Sequence, residues 1–210
     1  MPTPDSPAVY QIRIRLDRIS PLIWRRLLVT DATTIAELHA IIQIAFGWSD
    51  SHLHQFVIHG KPYGIAYLGG VSFAGDPDQV RLADFHFRIG ERFWYEYNFH
   101  IPWRHEIRVE QIGTSAPGQH YPVCVAGARA APPEESDGPH AFLALRQHYH
   151  PHELIERLLA LIDDPDTQHD PYDELRTLQY WVGVNHCDRR AINRQLRQNQ
   201  LHASGSEVCA

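Results

Sequence analysis

From Tyr10 the chain alternates. Tyr10, Ile12, Ile14 and Leu16 are apolar while Gln11, Arg13, Arg15 and Asp17 are polar, the two-residue period of a strand with one buried face. Ile19-Ser20-Pro21 breaks that pattern. Leu22 to Val29 is then apolar on both sides except at Arg25 and Arg26, which predicts a more central strand paired with the first as a hairpin. At Thr34 the period changes. Ile35, Leu38, Ile41, Ile42, Ala45 and Phe46 recur at three- and four-residue spacing up to Gly47, and Thr34 stands three residues before Glu37. This is an amphipathic helix with a capping box at its start and a glycine at its end.

His54 to His59 predicts a third strand and Pro62 to Leu68 a fourth, with Gly60-Lys61 as the turn. Residues 69–79 read as loop, and Val80 to Phe85 as a short helical turn. In RFWYEYNF, Phe93, Tyr95, Tyr97 and Phe99 line one face and Trp94, Glu96, Asn98 and His100 the other, so a fifth strand follows, with its aromatic stripe in the core. His105 to Ile112 predicts a sixth. The order suggests an α+β fold, a β-grasp-like mixed sheet with one main packed helix, over residues 10–113. Residues 114–138 are proline-rich and lack periodicity, the composition of a long loop packed on that core. Four helices then follow: Pro139 to His148, Pro151 to Ile162, Pro171 to Val182 and Asp188 to Arg197. They form a helical segment over 139–198, with 1–9 and 199–210 as flexible tails.

Composition narrows the function classes. At 210 residues and 43% hydrophobic, the chain can bury a sizeable core. It has no apolar run long enough to span a membrane and no signal-peptide pattern at MPTPDSPAVYQ, so a soluble cytoplasmic protein without membrane partners is expected. Cys124, Cys187 and Cys209 are far apart and form no CxxC pair, which predicts reduced thiols. The net charge of −6 argues against coating nucleic acid through a general positive field. A local basic face stays open, and Arg13, Arg15, Arg25, Arg189, Arg190 and Arg194 are its candidate residues; a solvated sheet face is the simpler account of the first three.

The chain resembles the plasmid pRiA-type ORF-three-like family, also labelled TnpR-type passenger proteins of insertion elements. The resemblance rests on YQIRIRLDRISPLIWRRLLV, TTIAELHAIIQIAFGWSDSHLHQFVIHGKPYG, LADF, RFWYEYNF, the stretch from Trp103 to Ile107, the proline-glutamate loop and INRQL. It implies an α+β fold and an association with plasmid-borne or mobile DNA, with no assigned chemistry. Two departures stand out. Where members read like YDFGDGWEH, this chain has Asn98 and Ile101 in place of two aspartates, and in the CVAGARAAPPEESDGP loop it has Ala131 and Ser136 in place of two cysteines. Any family site built on those groups is altered here.

There is no P-loop, dinucleotide-binding turn, HExxH or GxSxG. Among the 15 histidines, His52 and His54 have the spacing that places two imidazoles on one side of a strand, and His105 on another strand could complete a zinc site. Core or surface packing is the simpler account of all three. Glu134 and Glu135 could form an acid–base pair, although adjacent carboxylates in a proline loop are usually just solvated. The sequence therefore favours an accessory binding or protein-interaction module without catalysis, its partner a protein or mobile-element DNA rather than a small-molecule substrate. A metal-dependent hydrolase is the alternative. No cofactor is expected beyond that candidate zinc.

Overall fold

The computed structural model describes residues 7–64, 73, 75–163 and 171–206. The first alternating run forms β1 (Ala8–Leu16), which is already paired at Ala8, within the expected tail. β2 (Trp24–Thr30) lies antiparallel beside it, with Arg25 opposite Ile14 and Leu27 opposite Ile12. α1 (Ile35–Phe46) is capped as its sequence requires: Thr34 Oγ1 accepts from the Glu37 N–H at 3.1 Å, and Glu37 Oε2 accepts from the Thr34 N–H at 2.8 Å. Gly47 ends the helix at φ 71°, a backbone conformation that glycine adopts without strain.

Four further strands complete the hairpins: β3 (His54–Ile58), β4 (Lys61–Tyr63), β5 (Arg92–Tyr97) and β6 (Trp103–Thr114). A single turn of 3₁₀ helix, Leu82–Phe85, precedes β5. The expected fourth strand lies partly outside the described residues, as does part of the loop after it.

The seven-stranded sheet is ordered β4-β3-β5-β6-β1-β2-β7. Every described pairing is antiparallel, so the fold is α+β, but the expected mixed pairing is not found. The chain path explains this. β2 and β3 run in the same direction, joined by α1, but β5, β6 and β1 lie between them and alternate in direction. Among the described residues, no two parallel strands become neighbours.

The second departure is β7 (Val123–Ala128), a strand inside the segment expected to be loop. It pairs with β2, with a register shift between Arg26 and Leu27. The Asn193 side chain accepts from the Cys124 N–H at 2.7 Å and donates to the Cys124 carbonyl at 2.9 Å, so it stands in for a further strand. Asn193 belongs to α5 (Arg189–Ser206), which continues through residues expected to be a tail.

The remaining helices are α2 (Gly138–His148), α3 (Pro151–Asp163) and α4 (Pro171–Gly183). Phe142 of α2 stacks on Trp181 of α4 at 5.8 Å, and Tyr180 donates to the Ala131 carbonyl at 3.0 Å. Among the described residues, no helix is long and apolar enough to cross a membrane. Cys124 and Cys187 are free thiols, and Cys209 lies outside the described residues.

α1 and the inward side chains of the sheet share one core, with Leu38, Ile42, Phe46, Ile14, Phe56, Tyr95 and Ile107 all buried. Each such fully buried large side chain contributes about 1.5–3 kcal/mol. The opposite face is a ladder of cross-strand ion pairs. Arg15 meets Glu106 at 3.0 Å, Arg26 meets Glu110 at 2.6 Å, Arg92 meets Glu106 at 3.3 Å and Arg104 meets Glu96 at 3.2 Å.

Candidate functional site

Two polar residues interrupt the buried stripe of α1. His39 and Gln43 are one turn apart and both face Tyr95 of β5. Gln43 Nε2 donates to the Tyr95 hydroxyl at 2.8 Å, that hydroxyl lies 2.9 Å from His39 Nδ1, and His39 Nε2 lies 2.7 Å from Asp50 Oδ1. An ionised carboxylate only accepts, so His39 carries its hydrogen on Nε2 and Nδ1 accepts the Tyr95 O–H. The Asp50 N–H returns to Gln43 Oε1 at 3.2 Å and closes the ring.

Asp50 is placed by the turn after α1, where it adopts φ 60°, a conformation that aspartate tolerates better than most residues. The turn is anchored on both sides. Trp48 is buried, stacks on Tyr97 at 5.3 Å and donates its Nε1–H to the Pro132 carbonyl at 2.9 Å. Glu134 accepts from the Ser49 N–H at 2.6 Å and from the Tyr97 hydroxyl.

His54 packs flat on His39, with ring centroids 3.4 Å apart and planes within 6°. Its Nε2 is buried and without a hydrogen-bond partner. Burial lowers the pKa of His39 despite the nearby Asp50 charge, and burial together with His39 pushes His54 down to about 3. Both imidazoles are therefore neutral at pH 7. Burial raises Glu134, but hydrogen bonds from Tyr97 and Ser49 outweigh it and hold the carboxyl below its usual value. Among the described residues, His39, Asp50 and His54 form the group whose ligand atoms all lie within 4.8 Å of one another, a spacing that a metal ion could close.

The model of the family described as plasmid pRiA4b ORF-3-like protein matches residues 8–194. The chain belongs to that family. A curated relative, the uncharacterized protein y4hQ of Sinorhizobium fredii, is 27% identical over 187 residues, covering 89% of this chain and 87% of that protein. The crystal structure of a protein of unknown function, MM3350 from Methanosarcina mazei Go1, is similar at a TM-score of 0.64 and 31% identity. It matches over 80% of this chain and 97% of its own.

In this pRiA4b ORF-3-like protein the three histidines singled out from sequence are not gathered into one ligand set. The strand begins at His54, and His52 lies before it, exposed, its ring edge-on to Tyr97 at 5.6 Å. His105 is fully buried, boxed by Phe46 at 4.7 Å, Trp48 at 5.2 Å and Tyr95 at 5.2 Å. Its Nδ1 lies 3.2 Å from the Trp103 carbonyl, its Nε2 has no partner, and burial lowers its pKa to about 3.

The arginines also divide. Arg13 and Arg15 stand on the open sheet face beside Glu110 and Glu106. Arg25 is only 3% exposed and donates to the carbonyls of Ala45, Trp24 and Ala128, so the arginine that shares the open face is Arg26. Arg189 donates to the Val125 carbonyl at 2.6 Å. Arg190 and Arg194 are exposed, as is Arg197, which the candidate set had omitted. His39 and Asp50 were missed as well; the one sequence signal for His39 is its position on an otherwise apolar helical stripe.

Proposed function

We propose that the protein is a binding module that grips the phosphate backbone of DNA through α5. One contrast carries this reading. Five arginines of the open sheet face, Arg13, Arg15, Arg26, Arg92 and Arg104, stand against carboxylates and the half-buried Arg108 lies among them, whereas Arg190, Arg194 and Arg197 are exposed and have no ion pair among the described residues. Spaced four and three residues apart, they form one stripe about 10 Å long. A duplex presents one charge per roughly 1.7 Å of axis, so such a stripe can meet several phosphates. An open cleft of about 560 Å³, lined by His186, Arg189 and Arg190 together with Asp188, borders the start of the helix. The plasmid setting in the family's description fits this partner.

The two rival readings have weaker footing. A partner strand would need a free edge, but β4 has three residues and includes Pro62, while the Cys124 backbone on the other edge is engaged by Asn193. A hydrolase would need a base beside its metal, and Glu134 is occupied by Ser49 and Tyr97.

The test is fluorescence anisotropy with labelled duplex and single-stranded DNA at 50 and 200 mM salt. Binding should weaken with salt, and the triple change of Arg190, Arg194 and Arg197 to Ala should flatten the logarithmic salt slope by about 2.7 for duplex, at roughly 0.9 per phosphate contact. No binding at 50 mM salt, or an unchanged slope in the triple variant, refutes the reading.

A further inference from the structure

We propose that His39, Asp50 and His54 bind one divalent transition-metal ion, zinc by preference, at the corner where α1 hands the chain to β3. Three independent features meet there. The ligand atoms lie within 4.8 Å of one another. Tetrahedral ligands at about 2.1 Å from zinc stand about 3.4 Å apart, so small shifts of the ligand atoms, with rotation of the stacked His39 and His54 rings out of parallel so that both in-plane lone pairs meet the ion, close the site. His54 Nε2 is buried with no hydrogen-bond partner, an arrangement that leaves a lone pair or an N–H unsatisfied in the core unless a ligand takes it. Asp50, by contrast, has a side chain 57% exposed, so the site has a route to solvent and a place for a fourth, water ligand.

The surroundings are those of a metal site's outer shell. Both imidazoles are already neutral, the form that coordinates. The Tyr95 hydroxyl sits 2.9 Å from His39 Nδ1 and is itself held by Gln43. When the ion replaces the hydrogen between His39 Nε2 and Asp50, His39 takes its other tautomer, with Nδ1–H donating to the Tyr95 oxygen. That hydrogen bond orients the ring, as second-shell partners of metal-bound histidines do. Two imidazoles and one carboxylate suit zinc, whereas calcium and magnesium favour oxygen ligands alone.

The experiment uses untagged full-length chain stripped with EDTA, titrated with zinc against a chromophoric chelator, with cobalt(II) as a spectroscopic stand-in. The expected result is one zinc per chain and a visible cobalt band of tetrahedral intensity. His54→Phe keeps the stacked ring and should abolish both while preserving the circular dichroism spectrum. Asp50→Asn, on an exposed turn, repeats the test should the core variant fail to fold. Tyr95→Phe, a positioning change, should weaken zinc binding by about 10- to 100-fold. The His148, His150 and His152 run at the α2–α3 junction is the competing site. Retention of zinc by His54→Phe, its loss on changing that run to Gln, or no zinc held against the chelator overturns the proposal.

Discussion

Acidification from pH 7.5 to pH 5 should destabilise the metal-free protein by about 4 kcal/mol, through two buried histidines. His54 and His105 each have a folded-state pKa lowered from 6.5 to about 3. A base whose pKa is depressed on folding binds fewer protons folded than unfolded. Its contribution is therefore fully present above 6.5 and is lost as the pH falls from 6.5 towards 3. At pH 5 the loss is about 1.5 pH units at 1.36 kcal/mol each, roughly 2 kcal/mol per histidine. The sum is a large share of the 5–15 kcal/mol that typically holds a domain together. The carboxylates do not confuse the window. Glu106 and Glu110 are lowered from 4.5 by hydrogen bonds from Arg15 and Arg26, so their contribution is lost only below that value. Urea unfolding at several pH values between 7.5 and 5, followed by the fluorescence of buried Trp48 and Trp103, measures the effect. His39, also lowered by burial, adds to the loss in the same direction, and His54→Phe should remove about 2 kcal/mol of it. A stability that is flat across this window, or an unchanged loss in His54→Phe, would refute the reasoning.

Three further changes probe the corner and the sheet edge. Tyr95→Phe leaves the Gln43 amide and His39 Nδ1 without their buried partner, and should lower unfolding free energy by about 2–6 kcal/mol in urea titrations, at about 1–3 per unsatisfied group. Glu134→Ala removes the acceptor of the Ser49 N–H and should cost about 2 kcal/mol, with faster amide hydrogen exchange at Ser49. Asn193→Ala frees the Cys124 N–H and carbonyl and should cost about 1–2 kcal/mol, with exchange at the Cys124 amide accelerating most.

The legible parts of the fold were those encoded locally. β1, β5 and α1 carry their own period, and the Thr34–Glu37 capping box lies within four residues of chain. β7 could not be read this way. VCVAGA has small residues and no alternation, and it becomes a strand because β2 on one side and Asn193 on the other satisfy its backbone. The pairing sense of the sheet was equally hidden, since it depends on which strands the chain inserts between β2 and β3. The candidate site shows the same limit. His54 was visible through its spacing, but its companions His39 and Asp50 are recruited across a turn and through Tyr95, 56 residues from His39. The extension of α5 was missed because its last turns offer no apolar stripe to mark them.

The clasp of Trp48 and Glu134 has a bearing on where this chain could be cut. The α/β part up to Gly113 has the appearance of a self-contained unit, yet Trp48 donates to Pro132, Ser49 to Glu134, and the buried Arg25 guanidinium to Ala128. A fragment ending at Gly113 would lose the acceptors for an indole, a turn amide and part of an interior cation, and would uncover the β2 edge. The later loop and helices thus act as the far wall of the core, and the whole chain should melt in a single cooperative step.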